Sequence, residues 1–245
     1  MMNRSLFLLL FALILIPSSH ALSADEFVVD RFSKETESSG IPKGWKLLEF
    51  KNITKKTRYT AEHSANNFFV KAVSENSAMG IYKEVHLDPK EFPLLIWRWK
   101  VENVLKNADA TQKSGDDYAA RIYVAFEYAP ERASFWEKAK YGALRLAYGQ
   151  YPPQGVLNYV WDNKLPKEKS LDNAYTERAK MIVVESGTEK VGEWVWEERN
   201  VYEDYMRLFG SEPPRISFVA IMTDTDNTGE SAVAYYDDIV FKAKR

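Results

Sequence analysis

The chain has 245 residues, with 33 Lys plus Arg against 35 Asp plus Glu, a net charge of −2 and no cysteine. A balance this close to neutral offers no basic patch for nucleic acid. The lack of Cys excludes thiol nucleophiles, thiolate metal sites and disulfides, so the fold must be held by its core alone.

Arg4 precedes an apolar run over residues 6–16, and Pro17, Ser18, Ser19, His20 and Ala21 follow it. A basic start, a short apolar stretch and small residues at Ser19 and Ala21 have the layout of a cleavable secretory signal. A membrane-spanning helix needs about 20 apolar residues, and this run is shorter. The expectation is a signal peptide at 1–21 and one domain over 22–245, periplasmic or secreted. Cleavage after Ala24 is the alternative, with Leu22 in the position where a small residue is preferred. No later stretch approaches a transmembrane length, so no membrane span is expected after signal removal. Residues 33–40 are polar and read as a loop.

Period-2 alternation then dominates. Leu95, Trp97, Trp99 and Val101 alternate with Ile96, Arg98 and Lys100. Ala120, Ile122, Val124 and Phe126 alternate with Arg121, Tyr123 and Ala125. Similar runs occur at 68–73, 80–87, 157–161, 179–185, 193–199, 216–222 and 233–241, rich in β-branched and aromatic residues and bounded by turn formers. Many strands without a βαβ rhythm predict an all-β fold, an antiparallel jelly-roll β-sandwich. Two helices interrupt it. Residues 131–149 carry Phe135, Ala139, Ala143 and Leu146 at helical spacing and stop before Gly149 and Pro152. Residues 201–209 follow Asn200, a capping residue with Glu203 three positions on, and end at Gly210.

Four features could carry chemistry. In 222–229, Asp224 and Asp226 alternate before Gly229, like the start of a calcium loop in which oxygen ligands converge on a hard cation. The helix-flanked version fails, because Thr228 and Tyr235 stand where ligands are required. A plain hairpin turn is the simpler reading. Asp237 and Asp238 interrupt the last strand and must meet solvent, a cation or an arginine. Asp116 and Asp117 precede a strand bearing Arg121 and Tyr123 on one face, which suits a polar ligand, although a solvated turn explains them too. Finally, seven Trp and many Tyr supply rings for a core or for stacking on a ligand. No nucleophile elbow or zinc-protease motif is present. His63 and His86, the His outside the signal, stand alone.

Taken together, Pro42-Lys43-Gly44-Trp45, Trp97-Arg98-Trp99-Lys100, Gly115-Asp116-Asp117-Tyr118, Asn158-Tyr159-Val160-Trp161, Val184-Glu185-Ser186-Gly187, Arg199-Asn200-Val201-Tyr202 and the 222–229 block resemble the bacterial domain of unknown function family 3047. The resemblance runs over residues 27–241. It implies export and brings no activity with it. Its first and last blocks are also similar to galactose-binding jelly rolls, an analogy of fold that does not fix function. Sugar-binding relatives of that kind often hold a structural calcium near the termini, which adds Asp238 to Asp224 and Asp226 as metal candidates.

Three functional classes stay open. The first is a non-catalytic binding module for a glycan or other polar envelope ligand, using Asp117, Arg121, Trp161, Asp162 and Arg199. The second is a polysaccharide hydrolase or lyase using carboxylates such as Asp117 and Glu185. The third is a structural partner of an envelope protein, docked through the 131–149 helix.

Overall fold

The computed structural model describes residues 25–32, 41–64, 67–131, 134–148 and 151–244. The expected signal peptide, its cleavage point and the polar loop at 33–40 lie outside the described residues.

The elements, in chain order, are β1 (Glu26–Asp30), β2 (Lys46–Leu48), β3 (Arg58–Ser64), β4 (Asn67–Glu75), β5 (Ala78–Leu87), β6 (Leu94–Val101), β7 (Ala120–Phe126), α1 (Phe135–Tyr148), β8 (Gly155–Asp162), β9 (Ser170–Asn173), β10 (Thr176–Ser186), β11 (Val195–Asn200), α2 (Val201–Phe209), β12 (Ile216–Asp224) and β13 (Ser231–Lys242). Every strand that alternation predicts is present. Four more appear: β1, β2, β3 and β9, which are short or largely polar.

The strands form two facing sheets. The first runs β11-β6-β13-β4-β3, with β1 also paired to β13, and the second runs β2-β5-β12-β7-β8-β10-β9. The fold is the expected β-sandwich, with one exception to its antiparallel character. β8 and β10 run parallel, because β9 pairs on the far side of β10. The chain passes the place of β10 and turns back at the sheet edge before entering it.

The alternating strands meet between the sheets. Trp97 and Trp99 of the first sheet pack against Tyr159 and Trp161 of the second, and the Tyr236 hydroxyl donates to the Met222 carbonyl at 2.7 Å, all of these rings being buried. Trp97 lies 5.4 Å from Trp99 and 5.5 Å from Tyr159, and Trp99 lies 5.9 Å from Trp161, centroid to centroid. Large rings bury enough apolar area to join two sheets without a disulfide. α2 closes one end. The Asn200 side chain accepts from the Glu203 backbone at 3.1 Å, Gly210 ends the helix at φ 69°, and Tyr205 packs on Phe126 at 4.4 Å.

The outward face of the second sheet is only partly covered. Tyr118, Val160, Met181 and Val183 form a small second core there, with Leu165 and Leu171 packed against it. Among the described residues, the remainder of that face, over β5, β12 and β7, carries clefts in place of a packed layer.

Candidate functional site

Arg121 and Tyr123 on β7, with Met222 and Asp224 on β12, alternate with core residues and so point outward from the second sheet. They floor a cleft of about 820 Å³, with Phe50 and Tyr175 at its rim and Asp116 and Asp226 on its wall. A second cleft of about 690 Å³ continues along the same face, lined by Tyr82, Phe218, Tyr128 and Tyr151. Glu49 borders both clefts, so together they form one groove across the sheet. Its walls carry ring faces and carboxylates.

Tight local geometry positions the charged end. Residues Lys113–Gly115 make one 3₁₀ turn, and the Asp109 backbone donates to the Gly115 carbonyl at 2.8 Å. A side chain at Gly115 would collide with Asp109, since a β-carbon there would stand 2.6 Å from its nitrogen. Asp117, just beyond the turn, accepts from the backbones of Asn227 at 3.2 Å and Thr228 at 2.6 Å. The loops before β7 and after β12 are thereby joined, and Asp116, Asp117, Asp224 and Asp226 gather around Arg121.

Arg121 and Asp224 form a buried ion pair, and Asp116 stands 4.0 Å from the same guanidinium. Burial pushes the Asp224 carboxyl well above the usual carboxylate range, with Arg121 pulling the other way. Burial likewise raises Asp116 and Asp226. One carboxylate oxygen each of Asp116 and Asp224, the Arg121 Nε and both amide atoms of Asn158 are buried without a hydrogen-bond partner among the described residues. Native interiors satisfy almost all such atoms, so their concentration here calls for partners that the described residues do not supply.

Of the residues nominated from sequence, Asp117, Arg121, Asp224 and Asp226 come together here. The rest do not. Trp161 is no stacking platform. It is 1% exposed, packed on Trp99, with its indole N–H donating to the Gly187 carbonyl, because its side of β8 faces the other sheet. Asp162 is buried and accepts from the Lys164 and Leu165 backbones at 2.8 and 2.7 Å, which makes it a turn former. Arg199 is held by both oxygens of Asp204, at 3.0 and 2.9 Å, at the start of α2. Asp238 belongs to the first sheet, where it faces Arg98 Nε at 3.1 Å. Asp116 and Tyr123 entered the sequence reading only as neighbours of Asp117 and Arg121, and Asn158 and Tyr175 were left out of the site. The shared face of Arg121 and Tyr123 was the available signal, and Tyr175 had none.

A second aromatic surface lies on the outside of the first sheet. Arg98 sits between Trp194 and Trp196, at 5.1 and 5.3 Å from their rings. Trp196 is 57% exposed. The guanidinium lies against these rings, and among the described residues the surface lacks the groove's concentration of unpartnered buried acceptors.

No curated protein matches the sequence. Solved structures with a similar outline include a family 11 carbohydrate-binding module of the cellulosomal cellulase Lic26A-Cel5E of Clostridium thermocellum, at 9% identity and TM-score 0.42, covering 91% of this chain and 96% of that one. The CBM22-1 xylan-binding domain of Paenibacillus barcinonensis Xyn10C is similar at 10% identity and TM-score 0.39, covering 91% and 99%. The K1 cleaved adhesin domain of Lys-gingipain from Porphyromonas gingivalis W83 is similar at 12% identity and TM-score 0.38, covering 91% and 100%. Likenesses of this size carry no argument about ligand. The family model described as "Protein of unknown function (DUF3047)" matches residues 43–240, and the chain belongs to that family.

Proposed function

We propose that this protein is a non-catalytic binding module for a glycan, held along the groove on the outer face of the second sheet. The carrying observation is the groove's composition. Ring faces from Tyr123 and Tyr175 line the same cleft as the carboxylates of Asp116, Asp224 and Asp226, and Tyr82 and Phe218 line the adjoining one. Sugars present apolar C–H faces that stack on rings and hydroxyl donors that satisfy such oxygens. The signal-like segment at 1–21 supports an address outside the cytoplasm, with the ligand in the envelope.

A glycan-array screen of the purified protein, followed by calorimetry on the best ligand, tests this reading. Phe218→Ala and Tyr82→Ala should each weaken binding about tenfold, the effect of losing roughly 1–2 kcal/mol of ring contact, and leave the melting temperature near wild type. Failure to bind any glycan, or binding insensitive to both substitutions, refutes it.

A second reading, docking to an envelope protein through α1, rests on Phe135 and Trp136, which are 76% and 80% exposed. Large exposed apolar side chains placed side by side mark a contact surface.

A further inference from the structure

β7 and β12 are neighbours, with Arg121 opposite Met222, so the loop entering one and the loop leaving the other meet at one corner of the second sheet. At that corner Asp117, Asp224 and Asp226 each bring one carboxylate oxygen to within 4.8 Å of the others. Oxygens that ligate one calcium ion at about 2.3–2.6 Å cannot stand further apart than about 4.6–5.2 Å. The three oxygens therefore lie within the span that the ligands of one ion can occupy.

Charge points the same way. Asp116, Asp117 and Asp224 are at most 5% exposed, Asp226 is half-buried, and all four act on one another. A single buried guanidinium, that of Arg121, faces them among the described residues. Buried carboxylates in such excess are costly unless a further positive charge joins them.

An independent observation makes this more than an acidic cluster. Asp224 is 1% exposed, and while one of its oxygens binds Arg121, the other has no hydrogen-bond partner among the described residues. One oxygen of Asp116 is in the same condition, and both residues line the cleft. Asp117 is fixed in place by the Asn227 and Thr228 backbones, and each of its oxygens keeps a lone pair beyond the one so used.

We propose that Asp117, Asp224 and Asp226 bind a divalent cation, calcium, at one end of the groove. The donor set is oxygen throughout, without sulfur or imidazole, which selects a hard ion over zinc or copper. The open cleft leaves room for water to complete the six to eight ligands that calcium takes. This site stands or falls independently of the glycan reading. The alternative way to relieve the cluster is for Asp224 to hold a proton, and the experiment separates the two.

The purified protein, stripped with chelator, is titrated with calcium chloride and in parallel with magnesium chloride, by calorimetry and by thermal melting. Calcium should raise the melting temperature by about 5–10 °C at a hundredfold excess over Kd, with a much smaller effect of magnesium. Asp226→Asn, which leaves the Arg121 pair intact, should fold as wild type and lose at least tenfold in calcium affinity. Asp238→Asn, on the other sheet, should leave calcium affinity unchanged. If folded wild-type protein shows neither heat nor a melting shift with calcium, or if Asp226→Asn keeps wild-type affinity, the proposal is wrong.

Discussion

Glu197 shows how a single side chain sets a pH dependence in this molecule. It points inward from β11 at the sheet edge and accepts from the Trp99 indole N–H at 3.3 Å. Burial pushes its carboxyl up from 4.5 to about 7, with Lys167 opposing and Glu185 adding to the rise. A carboxyl whose folded pKa lies above the unfolded one stabilises the fold below the unfolded value, and that stability is lost as pH rises through the folded value. Wild-type stability should therefore fall between about pH 4.5 and 7, by about 1–2 kcal/mol from this group once partial solvent screening is allowed for. Glu197→Gln should flatten that part of the curve in urea melts across the range, and an unchanged slope would remove Glu197 as its source. Asp237, raised to about 6 by burial, contributes in the same direction, so the test is the difference between the two proteins. At this scale the sequence was a partial guide. Tyr159 and Trp161 share the inward face of β8, whereas Asp162 points outward. Adjacent strand residues take opposite faces, so Trp161 and Asp162 never could serve one ligand together from β8. Alternation shows which residues share a face, but only sheet pairing shows which face is inside.

At the scale of elements, the long alternating strands and both helices were legible from their hydrophobic period, whereas β1, β2, β3 and β9 are too short or too polar to carry one. α2 starts at the Asn200 cap and stops at Gly210, as its capping residues require. The parallel β8–β10 pair was not legible, because nothing local tells a strand on which side of its neighbour the preceding hairpin arm lies. Asp238 was a metal candidate by resemblance to sugar-binding jelly rolls, and it lies instead on the other sheet, against Arg98. The register of β13 slips between Asp237 and Val240, with Asp238 at φ 50°, so counting by twos fails there. The 3₁₀ turn before β7 gives this scale its prediction. Gly115→Ala should cost about 1–3 kcal/mol, since its β-carbon would meet rigid Asp109 backbone with no flexible atom to give way. The same shift would displace Asp116 and Asp117, so ligand binding should weaken along with stability. Denaturant melts and calorimetry on the variant check both effects, and a fully stable variant would show that the turn can relax.

For the whole molecule, the question is what joins two sheets in a chain without cysteine. The rings between them are the answer the packing gives. Trp97 and Trp99 from the first sheet meet Tyr159 and Trp161 from the second, each at most 1% exposed. Trp161→Ala removes a ring from a site that cannot refill, so it should cost about 3–5 kcal/mol. Trp196→Ala removes a ring that is 57% exposed and stacked on Arg98, so it should cost under about 1 kcal/mol. Urea unfolding of the two variants separates core from surface directly. If Trp161→Ala were as stable as Trp196→Ala, the aromatic stack could not be what holds the sandwich together. The same residue bears on the binding face. Glycan affinity measured on a mild variant such as Trp161→Phe should match wild type, because Trp161 faces away from the groove, and a large loss there would move the site from the outer face of the second sheet to its interior.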